Sequence, residues 1–166
     1  MNKTHTRSPF AKPMMFLAWA TLLLLLYLYF DDSLSNRFNP NQNLQFEGGA
    51  ITLEQNRQGH YVVDGEINGK LVTLMLDTGA TTTSIPAHLA NRLQLEAGHP
   101  YPVSTANGTV TVYRTQVQSL KIGPLTLYNL DASLNPGQQD DTILLGMNAL
   151  RHLELVQRGQ TLTIRK

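Results

Sequence analysis

The sequence contains no cysteine, which excludes disulfide bonds, thiol catalysis and cysteine-ligated zinc or iron–sulfur sites. It also lacks the clustered donors that a metal site needs, because its histidines are scattered and form no H-E-x-x-H motif. The sequence therefore predicts no metal and no cofactor. The five histidines are His5, His60, His88, His99 and His152.

An excess of charge of one sign is also missing from most of the chain. The formal net charge is +1, and residues 48–166 contain nine basic and nine acidic residues. The surplus of positive charge lies in residues 1–13, which hold Lys3, Arg7 and Lys12 and no acid. A folded domain without a basic face is not expected to bind nucleic acid.

One long apolar run stands out near the N-terminus. Residues 14–30 are 17 residues without a charge, which is close to the length that spans a bilayer as a helix. The run is longer than the hydrophobic region of a usual signal peptide, and no small-x-small cleavage site follows it. The basic residues before it and the acidic pair after it predict a single-pass signal anchor. Residues 1–13 would be a cytoplasmic tail, and the chain after residue 30 would lie on the periplasmic or extracytoplasmic side of the inner membrane.

The segment after the apolar run is rich in asparagine and glutamine and poor in large apolar residues. Such a composition buries too little surface to offset the entropy lost on ordering. The sequence therefore predicts a flexible linker over residues 31–49 and a folded domain over residues 50–166.

Closely spaced turn signals and alternating apolar residues predict a domain of many short strands. Asn68-Gly69 and Asn107-Gly108 are strong hairpin signals, and both are flanked by β-branched and apolar residues. Only residues 86–93 and 147–153 have the pattern of short helices. This combination predicts an all-β fold, either a small barrel or a sandwich.

The sequence Leu74-Met75-Leu76-Asp77-Thr78-Gly79-Ala80 places a carboxylate at the end of an apolar strand. A bare Asp-Thr-Gly is often a turn in which the Asp side chain binds its own backbone. Here the preceding buried strand would fix the carboxylate, and the glycine would permit close backbone approach. A similar apolar strand, residues 142–145, ends in Gly146 and leads into a helix.

These two motifs together resemble the retropepsin-like aspartic proteases, and in particular their membrane-anchored bacterial branch. The resemblance covers residues 50–164 and implies a small closed barrel, one lobe of an acid protease, with one or two short helices. It also implies a flap hairpin over residues 104–111, with Ala106, Asn107 and Gly108 at the tip.

The resemblance implies an aspartic endopeptidase in which two carboxylates share a proton around one water. The chain has a single Asp-Thr-Gly, so the implied enzyme is a homodimer with Asp77 from each chain. Thr78 would bond across the dimer centre, and Gly79 would hold the substrate backbone. Ala80, together with the flap tip, would contact a peptide or protein substrate.

The chain departs from viral members of the family, which commonly have an Asp soon after Asp-Thr-Gly-Ala and an Arg after the later Gly. Thr81 and Met147 occupy these positions here. A second interpretation stays open at this point, namely a catalytically silent retropepsin-like module for dimerisation or peptide binding. The intact Asp-Thr-Gly favours the peptidase, because a silent domain has no need of a costly buried carboxylate pair.

Overall fold

The computed structural model describes residues 11–105 and 108–166. The chain divides between Asn36 and Arg37 into two compact units, and the first contains most of helix α1 (Ala11–Phe38). The window Pro13–Phe30 has a mean hydropathy of 1.9 and is long and apolar enough to cross a membrane. Length and composition alone support that property.

The second unit is built mainly of strands. In the described residues these are β1 (Gln45–Glu47), β2 (Ala50–Glu54), β3 (Val62–Ile67), β4 (Lys70–Leu76), β5 (Thr83–Pro86), β6 (Pro100–Thr105), β7 (Gly108–Ile122), β8 (Leu125–Asn135), β9 (Thr142–Leu145), β10 (Glu154–Arg158) and β11 (Thr161–Arg165). Two short helical elements accompany them, a 3-10 turn at Ala87–Leu89 and helix α2 at Met147–Leu150.

Six strands close into a barrel. Their order is β3-β4-β9-β5-β8-β7, and β7 pairs back with β3 through Glu66↔Lys121 and Ile67↔Leu120. Strand β6 continues the sheet beyond the barrel as the second arm of the β6–β7 hairpin. The predicted all-β closed barrel with short helices is confirmed.

The barrel interior is filled by branched apolar side chains that alternate with outward-facing residues along the strands. Leu74, Ile85, Leu93, Ile143 and Leu145 are fully buried. Burial of each such side chain contributes about 1.5–3 kcal/mol relative to an exposed one. Strands β4 and β9 lie parallel in this core, so their carboxyl ends meet at one edge.

A second, smaller sheet has the order β1-β2-β11-β10, with every pairing antiparallel. The buried residues Ile51, Leu53, Leu162 and Ile164 join it to the same core as the barrel. The sequence pattern does not indicate β1, β5 or β10, because none of them has more than two apolar residues in succession.

The Asn68-Gly69 turn joins β3 and β4 as its sequence predicts. Both residues have positive φ, 49° and 74°, which matches the twist of a two-residue hairpin. The second predicted hairpin, between β6 and β7, is also present in register, with Thr105 opposite Gly108. Its predicted tip residues Ala106 and Asn107 lie outside the described residues.

The segment predicted as a helix over residues 86–93 is shorter than expected. Only Ala87–Leu89 forms a 3-10 turn, and turns follow it. Leu89 and Leu93 are buried as the pattern requires, but the Leu93 carbonyl accepts a hydrogen bond from the Asn68 side chain at 2.9 Å. The backbone hydrogen bonds of this segment are irregular, since the Ala90 amide donates to the Ala87 carbonyl, the Leu93 amide to the Leu89 carbonyl and the Leu95 amide to the Ala90 carbonyl, so no regular helix forms.

The start of the folded domain differs from the predicted boundary at residue 50. Asn39 and Asn41 are buried, and the Asn41 amide donates to the carbonyls of Glu54 and Val62 at 2.9 and 2.7 Å. The side-chain oxygen of Asn41, Oδ1, accepts a hydrogen bond from the backbone amide of Glu54 at 2.7 Å. The Asn41 side chain thus hydrogen-bonds the ends of β2 and β3, next to a backbone bridge between Asn41 and Val63, and these bonds hold a polar segment with little apolar surface against the folded domain.

Candidate active site

Asp77 lies one residue beyond the end of β4. Its amide donates to the Leu145 carbonyl at 3.1 Å, which extends the parallel pairing of β4 with β9 by one step. The side chain is half-buried, whereas Thr78 and Gly79 are exposed. The barrel therefore fixes the backbone of Asp77 and leaves its carboxylate accessible.

The Asp77 carboxylate is oriented by its own loop. Its Oδ1 accepts a hydrogen bond from the Gly79 amide at 2.8 Å, and its backbone carbonyl accepts from the Ala80 amide at 3.2 Å. No other described residue hydrogen-bonds this carboxylate, so Oδ2 is available to a water or a partner. The turn expected for a bare Asp-Thr-Gly is therefore present, and it leaves half of the carboxylate free.

The loop after Asp77 is tied to the N-terminal end of α2 by two backbone hydrogen bonds. The Met147 amide donates to the Ala80 carbonyl at 2.8 Å, and the Asn148 amide donates to the Thr81 carbonyl at 3.1 Å. These bonds join the segments in which Thr81 and Met147 replace the viral Asp and Arg. Backbone pairing holds them together without an ion pair among the described residues.

Next to this loop lies a partly buried polar cluster that the sequence pattern did not indicate. Asn148 Oδ1 accepts from the Thr83 amide at 2.9 Å and from the Thr83 hydroxyl at 3.0 Å. The Thr83 hydroxyl oxygen in turn accepts a hydrogen bond from the backbone amide of Gly146 at 3.3 Å. The side-chain amide of Asn148 donates to the backbone carbonyl of Asp131. The cluster links the Asp77 loop to the end of β9 and to β8. In the sequence, the cluster is indicated only by Thr83 shortly after Asp77-Thr78-Gly79 and by Asn148 shortly after Gly146.

Replacing Thr83 by valine tests this cluster, because valine keeps the shape and removes the hydroxyl. The Gly146 amide would then lose a buried partner, at a cost of about 1–3 kcal/mol. We expect the free energy of unfolding, measured by urea denaturation of the detergent-solubilised chain, to fall by that amount. Thr81→Val is the matched control, since the Thr81 side chain is exposed. Equal stability of the two variants would contradict a structural role for the Thr83 hydroxyl.

A cleft of about 410 Å³ lies beside the loop. Asp77 and Thr78 line one side of the cleft. Apolar side chains of β4, α2, β10 and β11 and residues of the β2–β3 connection line the other sides. None of the described residues of the β6–β7 hairpin lines this cleft. Its walls are Gln55, Gly59, His60, Tyr61, Leu76, Leu150, Leu155, Gln157 and Leu162.

The structure therefore brings only some of the predicted site residues together. Asp77, Thr78, Gly79 and Ala80 form one loop, and Gly108 is exposed at the start of β7 with a φ of 112°. The described residues contain no cluster of three or more His, Asp or Glu side chains that would hold a metal ion.

Comparison with known proteins identifies a family and a relative by sequence. Residues 63–152 match the family described as "gag-polyprotein putative aspartyl protease". An uncharacterized protein in the cobV 5′ region of Sinorhizobium sp. is 29% identical over 110 residues, which are 64% of this chain and 47% of that protein. The chain therefore spans about half the length of this curated relative.

Two solved structures resemble the chain. A retropepsin-like aspartic protease from Rickettsia conorii superposes with a TM-score of 0.59 at 23% identity, covering 74% of this chain and 94% of the other. EIAV protease, complexed with the inhibitor HBY-793, gives a TM-score of 0.47 at 22% identity, covering 58% and 90%. The similarity to the Rickettsia protein shows a shared fold.

Proposed function

Because the chain belongs to the retropepsin-like aspartic protease family, we propose that it is an aspartic endopeptidase whose active unit is a homodimer. In this proposal Asp77 from each chain meets its counterpart around one water molecule. The substrate is a peptide or protein in extended conformation, and no cofactor takes part.

The observation that carries the proposal is the way the Asp77 loop is held. The loop is hydrogen-bonded to β9 through Leu145 and to α2 through Met147, while the Asp77 carboxylate has one oxygen oriented by Gly79 and the other available. Catalytic groups that are fixed before substrate arrives need no reorganisation during the reaction.

The chemistry requires two carboxylates in different protonation states. One takes a proton from the water while the water oxygen attacks the peptide carbonyl carbon, and the other gives its proton to the carbonyl oxygen. The resulting tetrahedral intermediate breaks its C–N bond as the amine nitrogen is protonated. Asp141-Thr142, the other Asp-Thr pair, precedes its strand and is not followed by glycine, so it offers no second copy within the chain. The second carboxylate must therefore come from a second chain.

The remaining predicted residues have roles around the substrate in this proposal. Thr78 would bond across the dimer centre, and Gly79 and Ala80 would lie along the peptide backbone. The β6–β7 hairpin, with Ala106, Asn107 and Gly108 at its tip, would fold over the bound peptide.

We also propose that the Pro13–Phe30 window anchors the chain in the inner membrane, with the barrel on the extracytoplasmic side. The basic residues before the window and the acidic residues after it support this orientation. Anchoring would raise the local concentration of chains and so favour dimers.

A digest of a peptide library by the full chain in detergent micelles tests the proposed activity. We expect cleavage within peptides, blocked by a statine-type inhibitor that mimics the tetrahedral intermediate. Mass spectrometry of the products gives the cleaved bonds. Peptide binding without cleavage would overturn the peptidase proposal and favour the silent binding module, and cleavage that the inhibitor does not block would indicate a different enzyme.

A further inference from the structure

The chain enters the barrel unit soon after its apolar window ends. The window ends at Phe30, and the Phe38 carbonyl already accepts a hydrogen bond from the Asn56 side chain at 3.1 Å. Residues 31–37, which we call the connector, lie between these two points and continue helix α1. The connector is therefore much shorter than the flexible linker of residues 31–49 that the sequence predicts.

The residues that follow the connector are held to the barrel unit by buried bonds. Asn39 and Asn41 are each 5% exposed, and Asn39 Oδ1 accepts a hydrogen bond from the Asn41 amide at 3.0 Å. The Asn41 side chain also binds backbone groups of Glu54 and Val62. Breaking such bonds would leave buried polar groups unpaired, which is costly. This segment therefore stays with the barrel unit and does not lengthen the connector.

The attachment lies next to the cleft beside Asp77. Asn56, which binds the Phe38 carbonyl, directly follows Gln55 in the chain, and Gln55 forms a backbone bridge with Tyr61. Gln55 and Tyr61 both line the cleft that also contains Asp77. The connector therefore joins the barrel unit beside a wall of the candidate active-site cleft.

The length of the connector limits the distance between this cleft and a membrane that holds the window. Its residues span about 10 Å as a helix and about 25 Å when fully extended. A folded unit of the size of Arg37–Lys166 has a diameter of about 36 Å. No part of that unit is then more than about 60 Å from the hydrocarbon core. The cleft, beside the attachment, is closer.

We infer that the substrates are membrane-bound proteins, cut in an extended segment close to the point where they leave the bilayer. This inference rests on the proposed function, including the proposed anchor. Two chains held in one membrane meet at a high effective concentration, and the connector keeps the cleft at the height of such segments. Sites more than about 60 Å above the hydrocarbon core are out of reach.

A pair of reporter substrates in phosphatidylcholine–phosphatidylglycerol vesicles tests this height limit. Both reporters have one membrane-spanning helix and the same peptide, chosen from the library digest. In the near reporter the peptide follows the helix directly, whereas in the far reporter the helix continues unbroken for 50 more residues, about 75 Å. We expect the full wild-type chain in the same vesicles to cut the near site about tenfold or more faster than the far site. The free peptide, at the same overall amount, should be cut about tenfold or more slowly than the near site.

Lengthening the connector should weaken the height limit. A flexible insert of 60 Gly and Ser residues between Asn36 and Arg37 has an r.m.s. length of about 40 Å. We expect it to lower the ratio of near to far cutting rates about threefold or more. The matched control carries the same insert after Lys166, which leaves the connector unchanged, and should keep the wild-type ratio. In detergent micelles all three chains should cut the two reporters at equal rates.

Hydrogen exchange tests the attachment without any measurement of activity. Asn41→Ala removes the side-chain oxygen that binds the Glu54 amide. We expect that amide to exchange about tenfold or more faster in this variant, while exchange in β7 and β8 stays unchanged. Asn43→Ala is the matched control, since Asn43 is exposed. Unchanged exchange at Glu54 in Asn41→Ala would overturn the short connector.

The outcomes separate this inference from the proposed function. Equal cutting of the near and far sites by the wild-type chain would overturn the height limit and leave the peptidase proposal standing. Cutting of the free peptide as fast as the near site would overturn the preference for membrane-bound substrates, again without harm to the peptidase proposal. An unchanged ratio after the insert between Asn36 and Arg37 would overturn the role of the connector. A chain that cuts neither reporter nor the free peptide, even in micelles, would overturn both proposals.

Discussion

Replacing Asp77 by asparagine should abolish peptide cleavage while leaving folding and dimerisation nearly unchanged. Asparagine has the shape of aspartate and keeps an oxygen for the Gly79 amide, but it neither accepts nor delivers the catalytic proton. Loss of a general acid or base usually costs about 10²–10⁴-fold in rate, and here both groups are lost at once. The rate of peptide cleavage by the full chain measures this effect. Asp141→Asn is the matched control, since Asp141 is exposed and also precedes a threonine.

Mixing wild-type and Asp77→Asn chains tests whether the site is shared. If each site needs Asp77 from two chains, activity after exchange should follow the square of the wild-type fraction, about one quarter at equal amounts. A linear decrease with the wild-type fraction would contradict a shared site. Activity should also decrease more steeply than in proportion to concentration when the solubilised chain is diluted, as dimers dissociate.

Replacing Gly146 by alanine should destabilise the domain and displace the Asp77 loop. A Cβ at this position would lie 2.6 Å from the Thr82 carbonyl carbon and 2.8 Å from the Thr83 nitrogen, and neither backbone atom is able to move alone. We expect a loss of about 3 kcal/mol in the free energy of unfolding, the upper part of the range for overpacking. A loop shifted by about 1 Å would also lower the cleavage rate about a hundredfold.

The control for Gly146→Ala is Gly137→Ala. Both glycines have an ordinary backbone conformation, but a Cβ at Gly137 would meet only side-chain atoms at 3.2 and 3.5 Å. We expect Gly137→Ala to change the free energy of unfolding, measured by urea denaturation, by less than about 1 kcal/mol. Equal effects at the two positions would contradict the close contact between Gly146 and the loop.

Local features of the chain could be predicted from the sequence because they depend on neighbouring residues. The Asn68-Gly69 turn needs two residues that tolerate positive φ, and the strands leading to Asp77 and Gly146 need short apolar runs. These features, with their resemblance to a known family, were enough to predict an all-β closed barrel. The apolar window from Pro13 to Phe30 was equally visible, since it depends on composition alone.

Other features depend on partners far apart in the chain, and no local pattern indicates them. The polar segment around Asn41 was predicted as a linker, yet its side chain finds Glu54 and Val62 and becomes part of the fold. The Thr83–Asn148 bonds join residues 65 positions apart. Three of the five residues of strand β10 are polar or charged, so no apolar run indicates a strand there, and it forms one through its pairing with β11. Hydrogen bonds and packing between distant segments create these features, so folding must bring the partners together before their roles appear.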